Sequence, residues 1–331
     1  NGLFYTIDDR DGGELSIGGH GFRPTLNSFM YGDAMAISRI ANLARKQDIE
    51  NEYRSKASRI KNLVQDKLWD SESKFFKVLP KEGGALKDAR ELHGYAPWYF
   101  NMPDSGYEEA WKELMDKKGF YAPYGPTFLE QRHSEFIISY EGHECQWNGP
   151  SWPLATCNVL TSLANLLNNY DQDVIGKEDY FKTLKSYTDS HKLEREDGKI
   201  LPWIDENLNP YTGDWISRTR LESWENGTWS IEKGGKERGK DYNHSTYNDL
   251  IITGLMGLRP RNDNVIEINP LLPEGKWDYF CLDNVFYHGY KLTIAWDKTG
   301  EKYKKGKGLM IFIDGNLRAN TENIEKIVFD L

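Results

Sequence analysis

The chain has 331 residues, with 42 basic against 51 acidic side chains and a net charge of −9. That length suits one large domain or two smaller ones, and the acidic balance argues against a nucleic-acid partner, which would need a basic patch to replace phosphate counterions. No apolar run approaches the ~20 residues a membrane-spanning helix needs, so no membrane partner is expected. Cys145, Cys157 and Cys281 make neither a disulfide framework nor a zinc-ligand spacing. The aromatic count is unusual, at 11 Trp, 19 Tyr and 14 Phe, many of them in short polar-aromatic clusters rather than apolar runs. The chain opens at Asn1 without a Met and enters Gly-Leu-Phe-Tyr directly, which reads as the interior of a longer sequence.

Residues 1–24 read as a loop rich in acids and glycines, closing on Arg23-Pro24. From Thr25 a helical period begins: Leu26, Phe29, Met30, Met35, Ile37, Ile40, Leu43 and Ala44 recur at three-to-four spacing, with Thr25 or Asn27 available as a cap. A second helix, about Ile49–Trp69, carries Tyr53, Ala57, Ile60, Leu63, Val64 and Leu68 on one face, and the short polar break predicts an antiparallel pair. A strand at Phe75–Leu79, an irregular stretch over Glu91–Pro103 and a helix near Tyr107–Asp116 follow. Trp147–Pro153 then leads, with Pro150 near the start, into a helix whose buried face is Leu154, Cys157, Leu160, Leu163, Ala164 and Leu167. A partner helix is predicted at about Glu178–His191, a loop over residues 194–243, and a last helix at Ser245–Leu258. From Val265 the period changes to two, and VIEINPLL, KLTIAW and GLMIFID read as strands, with the basic run EKYKKGKG as a solvated hairpin.

No cofactor or metal motif survives inspection. Gly18-Gly19-His20-Gly21 lacks the phosphate-loop pattern, His143-Glu144 has no second histidine at helical spacing, and the Asp8, Asp9, Asp11 loop fails the calcium register. What remains is carboxylates beside tryptophans. Loops at Glu91–Trp98, Trp203–Glu206 and Trp224–Glu225 combine them, while Asp8–Glu14 offers carboxylates alone and Gln146–Trp152 tryptophans beside amides. Sugars present apolar CH faces and hydroxyl edges, which suit aromatic platforms and amide partners, and glycoside hydrolysis needs two flanking carboxyl groups. In any one loop, solvated acids and core tryptophans are the simpler account; their recurrence between helices points to carbohydrate.

Trp147-Asn148-Gly149-Pro150-Ser151-Trp152, entering a helix that ends in Ala-Asn-Leu-Leu-Asn-Asn-Tyr, resembles the W-x-G-P-x-W signature of six-hairpin glycosidases, the group around glycoside hydrolase family 63 and the mannosylglycerate hydrolases. Glu206-Asn207-Leu208-Asn209-Pro210-Tyr211-Thr212-Gly213 is similar to their E-x-x-x-P-x-T-G motif. Asp11-Gly12-Gly13-Glu14 followed by Arg23-Pro24-Thr25-Leu26-Asn27 resembles their general-acid loop and its helix. Glu206 is then the general base. Aligning the acid loop on Gly12 makes Glu14 the general acid in place of the usual Asp, with Asp11 as the alternative. Arg23, Asn27, Gln146, Trp147, Asn148, Trp152 and Trp203 are candidate sugar contacts, with Tyr95 and Trp98 as a subsite wall. For several of these a second role stays open: Arg23 as a bridge to the acid loop, Asn27 as a cap, the tryptophans and Tyr95 as packing.

The expectation is a mainly α chain: an (α/α)6 toroid over residues 1–263 and a small antiparallel β module over 264–331. It predicts fewer helices than six hairpins require, so the resemblance implies the C-terminal portion of a longer chain, whose remainder is its partner. The resemblance further implies an inverting, exo-acting hydrolase of α-linked glucosyl or mannosyl saccharides, with carboxyl groups roughly 6.5–9.5 Å apart. Two alternatives remain at this stage: a polysaccharide lyase using Asn243, His244 and Tyr247, and a non-catalytic carbohydrate-binding relic. A periplasmic or secreted location is favoured over the cytoplasm.

Overall fold

The computed structural model describes residues 2–7, 12–138, 147–195, 197–216, 240–242 and 246–331. It divides into two units, residues 1–175 with 185–244 and residues 176–184 with 245–331. The first is mainly helical and the second mainly antiparallel β.

In the first unit, α1 (Pro24–Leu43) starts with Arg23 in extended backbone and Pro24 in the first turn. The fixed φ of proline suits that position, and neither Thr25 nor Asn27 acts as the cap. The face turned inward is small, with Ala34, Ser38 and Ala41 buried, whereas α2 (Gln47–Lys67) buries Ala57, Ile60 and Val64. Small side chains let the two helices approach closely. The larger apolar residues of α1 lie elsewhere: Phe29 is 42% exposed, Ile37 37%, Ile40 64% and Leu43 80%. Between the helices, Arg45 takes φ 56, its N–H bonds Asn42 O, and Lys46 N–H bonds Ala41 O, the double closure of a Schellman turn. Ser38 Oγ then reaches Glu50 O, and Asn42 Nδ2 reaches Glu50 Oε2.

After α2 the chain condenses on aromatic rings. The expected strand Phe75–Leu79 reduces to β2 (Phe75–Phe76) paired with β1 (Trp69–Asp70), followed by a single bridge from Phe22 to Leu79. The expected helix near Tyr107–Asp116 is a 3-10 turn at Glu108–Trp111 running into α4 (Lys112–Met115). With α3 (Ala96–Tyr99) these short pieces bury Trp98, Trp111, Phe75, Phe76 and Phe120. The helix α5 (Pro153–Asn169) is held to α3 by Asn165, whose amide donates to both Trp98 O and Tyr99 O. Its start is Pro153, and Leu154 is 40% exposed rather than buried. The helix α6 (Lys177–Ser190) has residues in both units, and its first-unit end leads into a hairpin of β3 (Lys192–Glu194) and β4 (Ile200–Pro202).

The second unit carries more strands than the period-two segments suggested. Antiparallel β6 (Tyr279–Tyr287), β7 (Tyr290–Asp297), β8 (Gly308–Ile313) and β9 (Asn316–Thr321) form a meander, while β5 (Val265–Ile268) pairs with β10 (Ile327–Asp330). The basic run lies between β7 and β8, where the buried Asp297 carboxylate accepts N–H bonds from Thr299, Gly300 and Tyr303. The expected last helix is one short turn, Tyr247–Asp249, widened into a π turn over Leu250–Leu255. Tyr180 is the cause. Its hydroxyl donates to Leu250 O at 2.8 Å, and a β-carbon on Gly254 would lie 2.0 Å from that oxygen. A side chain inserted into the helix ladder widens the turn.

Candidate active site

The N-terminal loop is pinned at both ends, by the Thr6–Gly21 and Phe22–Leu79 bridges. Between them the backbone turns through positive φ at Gly12, Gly13, Leu15 and Gly19. Ser16 N–H bonds Gly13 O, and Gly19 N–H bonds Ser16 O. Gly18 N–H is taken by the buried Glu91 carboxylate at 2.9 Å. Arg23 lies wholly buried beneath this loop; its Nε donates to Gly19 O, one Nη to Gly12 O and the other to Ser16 Oγ. Its guanidinium is thus the bridge to the acid loop rather than a sugar contact. Asn27 is also structural: its amide accepts Phe4 N–H and donates to Phe4 O and Arg23 O, bracketing the chain where it enters the unit. Glu14 is half-buried, with Oε2 accepting Gly13 N–H at 3.2 Å. Asp11 lies outside the described residues.

The Glu91–Trp98 loop contributes differently from expectation. Tyr95 and Trp98 form no subsite wall. Both are fully buried, Tyr95 packing on Trp111, Phe75 and Phe120 with its hydroxyl on Ala110 O, and Trp98 packing on Phe76 and Trp111. Besides Glu91, the residue of this loop that meets the acid segment is His93, which no motif in the sequence marks. Its ring stands edge-on to Phe128 at 4.6 Å and tilted on Trp147 at 6.1 Å. Burial, then the Arg23 guanidinium, holds its pKa down to about 3, so the imidazole is neutral.

The two motifs that carried the resemblance are joined directly. Ser151 and Leu208 exchange both backbone hydrogen bonds at 3.0 Å, stitching Trp147–Trp152 to the segment two residues beyond Glu206. Gly149 is required here, since a β-carbon would lie 1.8 Å from Ile137 O. Trp147 and Trp152 stack on each other at 3.7 Å and 5°, both buried, so they form the rigid base of the turn rather than an open platform. Asn148 donates to Glu135 O, while its Oδ1 is enclosed and, among the described residues, without a hydrogen-bond partner. Gln146 lies outside the described residues, as do Trp224, Glu225, Asn243 and His244. Glu206 is 9% exposed, and its N–H donates to Asp205 Oδ1 at 2.8 Å. Asp205, also unmarked in the sequence, is fully buried and accepts Trp203 Nε1–H. Trp203 packs with Leu208 and Trp215, with the Lys240 ammonium 5.3 Å from the ring centre.

These contacts form a continuous path between the two candidate carboxylates. A β-carbon on Gly12 would sit 3.9 Å from Trp147 Cζ2, and one on Gly13 3.1 Å from His93 Cε1, so the acid loop rests on Trp147 and His93. Phe128 N–H bonds Pro150 O and Leu92 N–H bonds Phe128 O, which fixes the histidine segment to the same turn. Trp147 then leads through Ser151 and Leu208 to Glu206. A cavity of about 590 Å³ borders the other end of the motif, lined by Lys192, Glu194, Arg195, Thr212, Asp214 and Trp215, and includes neither Glu14 nor Glu206. The backbone stitching locates the candidate site better than this open, charged hollow. Among the described residues no group of His, Cys, Asp and Glu is arranged to hold a metal, and no helix is long and apolar enough to cross a membrane.

Comparison with known proteins finds two family models along the chain. Residues 4–245 match the family model of the mannosylglycerate hydrolase MGH1-like glycoside hydrolase domain, and residues 258–317 that of the glycosyl hydrolase family 65 C-terminal domain. A solved structure named "Sialidase" is 44% identical with a TM-score of 0.87, over 98% of this chain and 28% of that one. The chain therefore spans little more than a quarter of that relative. The family 63 mannosylglycerate hydrolase of Thermus thermophilus, solved with glucose, is 15% identical with a TM-score of 0.46, over 62% of this chain and 48% of that one.

Proposed function

The chain belongs to the mannosylglycerate hydrolase MGH1-like glycoside hydrolase family, and from that premise we propose that it hydrolyses glycosidic bonds with inversion, removing terminal α-linked glucosyl or mannosyl units. Glu14 is the general acid and Glu206 the general base, with Asp11 as the other candidate acid. The acid gives its proton to the glycosidic oxygen as the bond from that oxygen to the anomeric carbon breaks. Glu206 takes a proton from water as its oxygen bonds that carbon from the opposite face. Products are a free alcohol and a sugar of inverted anomeric configuration.

The observation that supports this reading best is the Ser151–Leu208 pairing, which holds the tryptophan turn against the Glu206 segment while the acid loop lies on Trp147. The test is release of reducing sugar from a panel of α-glucosides, α-mannosides and sialosides, with the product anomer read by NMR. We expect α-glucoside or α-mannoside cleavage giving the β anomer, and a Glu206→Gln variant slower by about 10²–10⁴-fold. A retained anomer, sialic acid as the released sugar, an unsaturated UV-absorbing product, or full activity in Glu206→Gln would overturn the assignment.

A further inference from the structure

His93 has no role in the reaction as written above, yet its surroundings are unusual. Nδ1 is enclosed and, among the described residues, has no hydrogen-bond partner. The ring is fixed by Phe128 on one side and Trp147 on another, and it meets the loop at Gly13: a β-carbon there would lie 3.1 Å from Cε1 and 3.8 Å from Nδ1. Gly13 N–H is also where the Glu14 carboxylate rests, at 3.2 Å. An enclosed polar nitrogen without a partner costs about 1–3 kcal/mol, and such a group in a folded protein calls for an explanation.

The groups beside Nδ1 narrow what that explanation can be. Among the described residues, the charge felt at the ring is the Arg23 guanidinium at the head of α1, which also stands 3.1 Å from where a β-carbon on Gly13 would lie; Glu14 follows Gly13 in the loop and Glu91 lies two residues before the ring, while Phe128 and Trp147 bring no charge. The Glu91 carboxylate is engaged by Gly18 N–H, and Arg23 is engaged by Gly12 O, Ser16 Oγ and Gly19 O. The loop amides of Gly13, Ser16, Gly18 and Gly19 are paired as well. Among the described residues Glu14 holds only its neighbour's N–H.

We propose that His93 is the positioning residue of the general acid, its Nδ1–H donating to one oxygen of the Glu14 carboxyl when that side chain turns from Gly13 to the substrate. This rests on the reading of Glu14 as the acid. Holding one oxygen leaves the other, with its proton, directed at the glycosidic oxygen. After the proton has moved, the same N–H stabilises the carboxylate. The neutrality of the ring matters: an imidazolium at that position would favour the ionised carboxyl and strip the acid of its proton before catalysis, whereas a neutral N–H orients without ionising.

The test compares His93→Phe, His93→Asn and Glu14→Gln on two substrates of the active sugar, one with a poor alkyl leaving group and one with an activated aryl leaving group that needs no protonation. Asn places an amide N–H close to where Nδ1 stands. We expect His93→Phe to lower kcat/KM on the alkyl glycoside by about ten-fold, the worth of one hydrogen bond, with less than about three-fold loss on the aryl glycoside, and His93→Asn to restore most of it. Equal losses on both substrates, or no recovery in His93→Asn, would reduce His93 to a packing residue and overturn the proposal. Glu14→Gln reports on the premise separately: selective loss on the alkyl glycoside supports Glu14 as acid, and its absence sinks that reading whatever His93 does. A readout independent of activity is the ¹⁵N spectrum of labelled histidine, in which His93 is expected as the neutral Nδ1–H tautomer. An unprotonated Nδ1 would also overturn the proposal.

Discussion

Lowering the pH from 7 to 5 should destabilise the wild-type chain by more than it destabilises a His93→Phe variant. The His93 pKa lies at about 3 in the folded chain, depressed by burial and then by Arg23, against about 6.5 when unfolded. Between those values the unfolded chain binds a proton that the folded chain excludes, so stability rises with pH across the window and is fully present above it. The slope is about 1.4 kcal/mol per pH unit, and integrating from pH 7 to pH 5 gives about 2 kcal/mol. Urea unfolding of both chains at both pH values isolates the histidine, because every other titrating group contributes nearly equally and cancels. A double difference near 2 kcal/mol is expected. One below about 0.5 kcal/mol would mean that His93 titrates almost freely in the folded chain, and its role as a neutral donor would lose its foundation.

Gly149→Ala should lower Tm through a loss of about 1–3 kcal/mol, because the added methyl lies 1.8 Å from Ile137 O and forces the two backbones apart; an unchanged Tm would show that the turn is not tightly held. Arg23→Lys keeps the charge but cannot reproduce the fork onto Gly12 O, Ser16 Oγ and Gly19 O. A destabilisation of about 2 kcal/mol and faster proteolysis within residues 12–19 are expected, and a wild-type cleavage rate would argue against the clamp. Tyr180→Phe removes the hydroxyl on Leu250 O and should cost about 1 kcal/mol, with altered hydrogen exchange at Leu255 and Met256 as the π turn relaxes; unaltered exchange would place the cause of that turn elsewhere.

The helices and strands were largely legible because their signals are local. A three-to-four spacing marks α1, α2 and α5, and a two-residue period marks β7 and β8, regardless of what they pack against. Burial was less legible. Phe29, Ile37, Ile40 and Leu43 look like the inward face of α1, yet Ala34, Ser38 and Ala41 hold that place, since close helix approach selects small residues over large ones. The weak strands β6, β9 and β10 were missed for a related reason. Asn, Asp and exposed residues interrupt their alternation, and β6 changes register between Leu282 and Val285.

Sequence by itself determined that this chain is helical before residue 245 and largely β after it, and it picked out the two segments that meet, Trp147–Trp152 and Glu206–Gly213. Which aromatic and polar residues serve the site was decided only by tertiary structure. Tyr95 and Trp98 are core, Arg23 and Asn27 brace the loop, His93 lies against Gly13 next to Glu14, and Asp205 accepts the Glu206 N–H. The reason is one of range. Periodicity is set by neighbours within one helical turn or two strand positions, whereas the bond from Gly18 to Glu91 joins residues 73 apart, and Ser151 meets Leu208 only after the intervening chain has folded.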